Sequence, residues 1–168
     1  MQNFDRAFAI VVGEEGEYSD DPQDRGNWTS GQIGVGEFKG TKYGIAAHVY
    51  PHLDIKNLTL DEAKRIYLID YWMKAYCHDM RWQVALPVFD SAVNQGVGAA
   101  IRMLQDALGV MVDGIVGPRT KAAIANANDR HVARFMARRV FRYQQHAKYE
   151  RYKDGWLTRC FIIAREAA

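Results

Sequence analysis

Residues 15–44 read EGEYSDDPQDRGNWTSGQIGVGEFKGTKYG, and seven glycines fall between residues 16 and 44. Turn-forming pairs such as Asp21-Pro22 separate short pieces of β character within this segment. The pattern predicts a small irregular β-region near residues 18–45. Segments of this length with little regular structure of their own usually carry function.

Helical patterns occupy most of the chain on either side of this segment. A short amphipathic helix precedes it and is expected to stop at Gly16. Thr59, Pro87 and Asp129 are each expected to mark the start of a later helix, Thr59 through a capping box. Gly109 is expected to end another helix. The sequence therefore predicts an α+β protein that is predominantly α-helical.

The bulk properties bound the classes of function. The net charge of +2 does not indicate a polyanion-binding protein, and no nucleic-acid motif is present. No run of eighteen apolar residues occurs, so stable membrane insertion is not expected. The two cysteines, Cys77 and Cys160, form no motif and are expected to be buried thiols, with a disulfide between them as the alternative. The basic helix after Asp129 is either a solvated face or a surface attracted to anionic envelope polymers and lipid head groups.

One carboxylate has the setting of a general acid. Glu15 is expected near the C-terminal end of the first helix, where partial desolvation and the helix dipole both raise a carboxyl pKa. A protonated carboxyl group can donate to a leaving glycosidic oxygen, and a second group must then assist. Asp24, in the polar loop, is the candidate for that second role. Taken alone, an acidic cluster before a loop is more often a solvated surface than a catalytic site.

Side chains that can bind a glycan lie in two parts of the sequence. Aromatic residues in the glycine-rich segment can stack on sugar rings, although such residues are commonly part of a core. Polar residues at helical spacing further along can hydrogen-bond to hydroxyl or N-acetyl groups, or pair with each other within the helices. The residues predicted to bind substrate are Tyr18, Tyr43, Asp90, Asn94 and Gln95.

Several motifs then occur in a fixed order along the chain. They are Glu15-Gly16-Glu17-Tyr18, Asp21-Pro22 with Asp24 and Gly26, and Gly40-Thr41-Lys42-Tyr43-Gly44-Ile45. Together they resemble the start of the glycoside hydrolase family 108 muramidases, with Glu17 in place of a glycine. The later motifs, from Phe89-Asp90 to Gly117-Pro118-Arg119-Thr120, resemble the peptidoglycan-binding region that follows in that family. We therefore expect a muramidase region at 1–86 and a binding region at 87–168, packed as one domain.

The resemblance implies a lysozyme-like fold and cleavage of the bond between N-acetylmuramic acid and N-acetylglucosamine. It assigns the catalytic acid to Glu15. The order of Glu, Asp and Thr is also similar to that of phage lysozymes, and by this analogy Asp24 and Thr41 position or activate water. Thr29 lies near the spacing of that analogy and stays open as the third residue. The resemblance implies no cofactor, and no metal site is expected.

The resemblance further implies a phage-type endolysin that causes cell lysis. The N-terminus has no signal-peptide pattern, so accumulation in the host cytoplasm and holin-dependent release to the wall are expected. A monomer is expected. Two alternatives stay open at this point: a lytic transglycosylase, which needs one acid and no activated water, and a non-catalytic cell-wall-binding protein.

Overall fold

The computed structural model describes residues 2–13 and 17–168, and the chain divides into two compact units, residues 1–68 and 69–168. About 60% of the chain is helical, and the one sheet of the described residues has two strands. The predicted α+β class with predominant helix is therefore confirmed. The boundary expected between residues 86 and 87 stays a prediction.

The first unit combines two helices with a short hairpin and irregular loops. Isolated bridges pair Ser19 with Thr41 and Trp28 with Phe38, which confirms the β-region near residues 18–45. Its regular elements are α1 (Gln2–Val11), a 3-10 turn (Arg25–Asn27), β1 (Thr41–Lys42), β2 (Ile45–Ala46) and α2 (Leu60–Tyr67). Helix α2 is followed in the chain by a π-helical turn, Leu68–Met73, of which residues 69–73 belong to the second unit.

The core of the first unit forms on one face of α1. Its apolar side chains recur at helical spacing, and all four of Phe4, Ala7, Phe8 and Val11 are buried. The Phe8 ring meets the Tyr67 ring edge-on at 5.5 Å between centroids, which ties α1 to α2. Burying a side chain such as Phe8 contributes about 1.5–3 kcal/mol.

The hairpin depends on the dipeptide Tyr43-Gly44. Both residues have positive φ, 51° and 72°, as a two-residue type I′ turn requires. The Tyr67 hydroxyl donates to the Tyr43 carbonyl oxygen at 3.0 Å. A Cβ on Gly44 would lie 2.6 Å from that hydroxyl, so a larger residue here would displace the Tyr67 hydroxyl and would also be strained at this φ. The turn therefore sets the pairing of Thr41 with Ala46.

The second unit is a helical bundle built around one central helix. Its helices are α3 (Trp82–Gln95), α4 (Val97–Leu108), α5 (Pro118–Ala125), α6 (Asp129–Gln144) and α7 (Tyr149–Ala167), preceded by a 3-10 turn (Cys77–Asp79). Helix α3 contacts α4, α6 and α7, and residues 84–92 of it are all buried. No helix of the described residues is long and apolar enough to cross a membrane.

Helix α1 ends at Val11 and Gly13 follows it with φ of 81°, so the prediction that this helix stops at Gly16 is wrong. Three later helix starts were also expected. Thr59 caps α2 in a complete capping box, as predicted. The prediction for Pro87 is wrong, because α3 begins at Trp82 and Pro87 lies inside it. Asp129 is the first residue of α6, whereas the cap is Asn128, whose side chain accepts from the His131 N–H.

Two other predictions are confirmed in the second unit. Gly109 ends α4 in the left-handed conformation, with φ of 71°. Cys77 and Cys160 are both free and buried, and burial raises the pKa of both thiols.

Candidate active site

Asp24 lies at the start of the 3-10 turn in the first unit. Its carboxylate oxygen Oδ1 accepts a hydrogen bond from the Gly26 N–H at 2.8 Å, which caps the turn. The side chain is exposed, and Oδ2 has no hydrogen-bond partner among the described residues. One oxygen of Asp24 is thus fixed by the backbone while the other is available to a water molecule.

Asn27 organises the loop around this turn. Its side chain is completely buried, and its Nδ2 donates to the Asp21 carbonyl oxygen at 3.0 Å. Its Oδ1 accepts from the Thr41 hydroxyl at 2.7 Å. Its backbone oxygen accepts from the N–H groups of Lys39 and Gly40 at 3.0 and 3.1 Å. A single buried amide therefore joins the 3-10 turn to strand β1.

This network determines the direction of the Thr41 hydroxyl. A carbonyl oxygen can only accept, so Nδ2 of Asn27 must face Asp21 and Oδ1 must face Thr41. The hydroxyl proton of Thr41 is therefore committed to Asn27, and the hydroxyl oxygen keeps its lone pairs as acceptors. Thr41 is half-buried in strand β1, and its hydroxyl oxygen can accept a hydrogen bond from water.

Thr29 is used differently. Its hydroxyl oxygen accepts from the Glu37 N–H at 2.9 Å, and its own N–H donates to the Glu37 carbonyl oxygen at 2.9 Å. A Cβ on Gly36 would lie 2.6 Å from the Thr29 hydroxyl oxygen, so this threonine packs tightly within its own loop. The position of Thr29 favours a structural role and leaves Thr41 as the better placed of the two.

Tyr18 packs flat against the chain at Gly40. Its hydroxyl donates to the Lys39 carbonyl oxygen at 3.1 Å. Gly40 has φ of 78°, and a Cβ there would lie 2.5 Å from the Tyr18 ring. Burial raises the pKa of Tyr18, and the negative charges of Asp20 and Asp54 act in the same direction. The phenol therefore stays neutral, and its contacts with Lys39 and Gly40 position the side chain.

The aromatic ring of Tyr43 is more accessible. The residue is half-buried, and the Lys42 ammonium lies 5.6 Å from its ring centroid. Glu17 is exposed. Glu15, the predicted acid, lies outside the described residues, as do Glu14 and Gly16.

Asp90 occupies the interior of the second unit. It is completely buried, and its carboxylate pairs with the equally buried Arg139 and accepts from Arg159 Nε at 2.7 Å. The Asn94 amide donates to the Asp90 carbonyl oxygen at 2.8 Å. The structure thus places Asp90 behind the surface, where it holds its neighbours, and direct contact of this carboxylate with a glycan stays a prediction.

Asn94 and Gln95, by contrast, line a groove at the C-terminal end of α3. Asn94 is exposed and Gln95 is half-buried. The structure therefore brings these two predicted residues together at a surface, with Asp90 beneath them as the partner of Asn94.

A buried amide also holds the turn between α4 and α5. Gln105 is completely buried, and its Nε2 donates to Asp113 Oδ1 at 2.7 Å and to the Ile115 carbonyl oxygen at 3.0 Å. Its Oε1 accepts from the Gly114 N–H at 2.8 Å. The hydrogen bonds from the Ile115 N–H and from Gln105 lower the pKa of Asp113. These contacts account for the Asp-Gly turn in this part of the chain.

Two known families match consecutive parts of the chain. Residues 8–96 match the family described as Glycosyl hydrolase 108, which is more than half of the chain. This chain belongs to glycosyl hydrolase family 108. Residues 99–161 match the family described as Predicted Peptidoglycan domain. The family 108 chain is therefore a glycoside hydrolase that acts on peptidoglycan.

The fold has a counterpart among solved structures. The family 108 chain is similar to the structure of Brucella abortus SagA, with 27% sequence identity and a TM-score of 0.80. The similarity covers 99% of this chain and 94% of that chain. The predicted lysozyme-like fold is confirmed. A search of curated proteins finds no match.

Sequence reasoning missed two residues of the family 108 chain that organise its sites. Asn27 lies among many polar residues, and no local signal marks it as buried. The sequence does mark Arg139, because it lies four residues from both Phe135 and Tyr143 and therefore on the apolar stripe of α6. All three are buried. A single charge on such a stripe indicates a buried ion pair.

Proposed function

We propose that this chain is a muramidase that hydrolyses the β-1,4 bond between N-acetylmuramic acid and N-acetylglucosamine. Both family matches support a cell-wall glycosidase. The proposal assigns Glu15 as the general acid, because it is the first residue of the motif Glu15-Gly16-Glu17-Tyr18 at the start of the family pattern. Asp24 and Thr41 assist it.

The observation that carries this proposal is the availability of two acceptors on segments that Asn27 joins, Asp24 at the start of the 3-10 turn and Thr41 in strand β1. Asp24 has a carboxylate oxygen free of partners among the described residues. Thr41 has its proton committed to Asn27 and its lone pairs available. A carboxylate and a hydroxyl oxygen that both accept are suited to hold a water molecule by its two hydrogens. Hydrolysis needs such a water, whereas a lytic transglycosylase does not.

In the proposed reaction, Glu15 donates its proton to the glycosidic oxygen, and the bond from that oxygen to C1 of the muramic acid breaks. Water held by Asp24 and Thr41 attacks C1 from the opposite face. One proton of the water passes to the Asp24 carboxylate, so charge and atoms balance. Charge on the oxocarbenium-like transition state is offset by the same carboxylate. Tyr43 is proposed to contact the glycan.

We propose that the biological role is that of a phage-type endolysin. A catalytic region and a wall-binding region in one short chain support this role. In this role the enzyme accumulates in the host cytoplasm and reaches the wall after a holin opens the membrane. Induced expression in a bacterial cell should cause lysis only when a pore-forming protein is co-expressed. Lysis without that protein would show that release does not depend on a holin.

The chemistry of the products tests the muramidase assignment. Purified peptidoglycan is digested and the released fragments are weighed by mass spectrometry. Hydrolysis leaves a reducing N-acetylmuramic acid at each new end, and this is the expected result. Fragments that end in the anhydro form, lighter by one water, would show a lytic transglycosylase and contradict the proposal.

The loop residues are tested by matched valine substitutions. Thr41→Val keeps the shape of the side chain and removes the hydroxyl, and we expect the hydrolysis rate to fall by about 10² or more. Thr29→Val serves as the control, and its rate should stay within a few-fold of the wild type. A large loss with Thr29→Val and none with Thr41→Val would exchange the roles of the two residues.

A further inference from the structure

A groove of about 530 Å³ lies in the second unit and is not explained by cleavage chemistry. It is formed by the C-terminal end of α3, the last turns of α6 and the middle of α7. Its lining side chains are aromatic, cationic or amide, and no carboxylate of the described residues lines it. The lining residues that matter here are Asn94, Gln95, Arg142, Tyr143, His146 and Trp156.

The aromatic side of the groove is rigid. The rings of Tyr143 and Trp156 stack at 4.7 Å with an interplanar angle of 20°, and His146 meets the Trp156 ring edge-on at 5.3 Å. Tyr143 is buried and lies within hydrogen-bonding distance of the Arg139 guanidinium, at 3.4 Å. Tyr143 is thus held from beneath, and the Trp156 ring stacks on it.

The charge of the groove favours an anion. Arg142 is exposed, and no carboxylate of the described part of the chain lies within ion-pairing distance of it. The nearby Asp90 is already paired with both Arg139 and Arg159. The exposed guanidinium of Arg142 is suited to a carboxylate, which it can bind through two parallel hydrogen bonds.

The amide side of the groove presents acceptors. Nδ2 of Asn94 is used by Asp90, which leaves Oδ1 of Asn94 toward the surface. Oε1 of Gln95 is buried and has no hydrogen-bond partner among the described residues. Oε1 of Gln95 is shielded from solvent, so Oδ1 of Asn94 is the acceptor that a ligand N–H group can reach.

We propose that this groove binds the peptide stem of peptidoglycan. Arg142 pairs with a carboxylate of the peptide, Oδ1 of Asn94 accepts from a backbone N–H group, and Trp156 packs against its apolar side chains. The proposal rests on peptidoglycan as the substrate of the proposed function and adds recognition of its peptide to recognition of its glycan.

Two parts of peptidoglycan supply a carboxylate, and different probes can distinguish them. The lactyl group of muramic acid has a free carboxylate only where the peptide has been removed, whereas the peptide has its own carboxylates and N–H donors. The three probes are therefore a disaccharide with its peptide, the same disaccharide without it, and the free peptide. Binding is measured by calorimetry with the full chain carrying Glu15→Gln, so that hydrolysis does not interfere.

We expect the disaccharide with its peptide to bind about tenfold more tightly than the disaccharide without it. Arg142→Gln should remove most of this difference. Arg134→Gln, an exposed arginine two turns earlier on α6, is the matched control and should keep it. Circular dichroism of both variants checks that the fold is retained, which we expect because both side chains are exposed.

Three outcomes would overturn the peptide assignment. The first is an equal affinity for the two disaccharides. The second is a difference in affinity that stays the same in Arg142→Gln. The third is an affinity that Arg142→Gln lowers only for the peptide-free disaccharide, which would indicate the lactyl carboxylate as the ligand. The proposed function fails separately, if the wild type does not release reducing fragments from intact peptidoglycan. Binding is read without turnover, so the two failures are distinguishable.

Discussion

The hydrogen bond between Thr41 and Asn27 can be tested by a double-mutant cycle. Thr41→Val removes the hydroxyl donor and leaves the buried Oδ1 of Asn27 without a partner, which should cost about 1–3 kcal/mol of stability. Asn27→Ala removes two side-chain hydrogen bonds at a completely buried position and leaves a small void. We expect it to cost about 2–4 kcal/mol.

The two substitutions share one hydrogen bond, so their effects should not add. The double variant should be less destabilised than the sum of the single variants by about 1 kcal/mol. The free energies of unfolding are measured by urea titration followed by circular dichroism. Thr29→Val combined with Asn27→Ala is the control and should be additive, because Thr29 bonds to Glu37 and not to Asn27. Additivity of the Thr41 pair to within about 0.3–0.5 kcal/mol would refute the network.

Three further substitutions have expected effects on stability. Gly40→Ala places a Cβ at positive φ and 2.5 Å from the Tyr18 ring, and should cost about 2–4 kcal/mol in urea unfolding. The hydrogen bonds from the Ile115 N–H and from Gln105 lower the pKa of Asp113 in the folded state. Its carboxylate therefore stabilises the protein above the unfolded pKa of about 4, and this stabilisation is lost as the pH falls through the folded pKa. In Asp113→Asn, the urea midpoint should change less between pH 5 and pH 3 than it does in the wild type. Arg139→Met leaves a buried carboxylate short of one partner and should cost about 3 kcal/mol, which calorimetry would record as a Tm lower by roughly 6–12 °C.

Local signals predicted the parts of this fold that local chemistry determines. Thr59 begins α2 because its side chain and a glutamate three residues later satisfy each other's backbone donors. Gly109 ends α4 because it adopts positive φ without strain. The turn at Tyr43-Gly44 lies within the segment that was expected to be β-like. Each of these features depends on a few consecutive residues.

The remaining features depend on contacts that are distant in the chain. Asp90 was expected at a surface by its spacing with Asn94, yet its partners Arg139 and Arg159 come from two later helices and bury it. Asn27 reaches Thr41 across fourteen residues of irregular loop, where no periodicity indicates which polar side chain turns inward. The start of α3 was predicted at Pro87 and not at Trp82, because the N-cap residue before Trp82 has no side chain that caps the helix.

The role of Glu15 is the central claim, and one substitution tests it most directly. Glu15→Gln keeps the size of the side chain and removes the proton that the leaving oxygen requires. Release of reducing fragments from purified peptidoglycan should fall by at least about 10², while sedimentation with intact peptidoglycan stays close to the wild type. Glu17→Gln, two residues away, is the matched control and should keep its activity. Full activity in Glu15→Gln together with its loss in Glu17→Gln would contradict the assignment, and a wild type that binds without cleaving would contradict the muramidase itself.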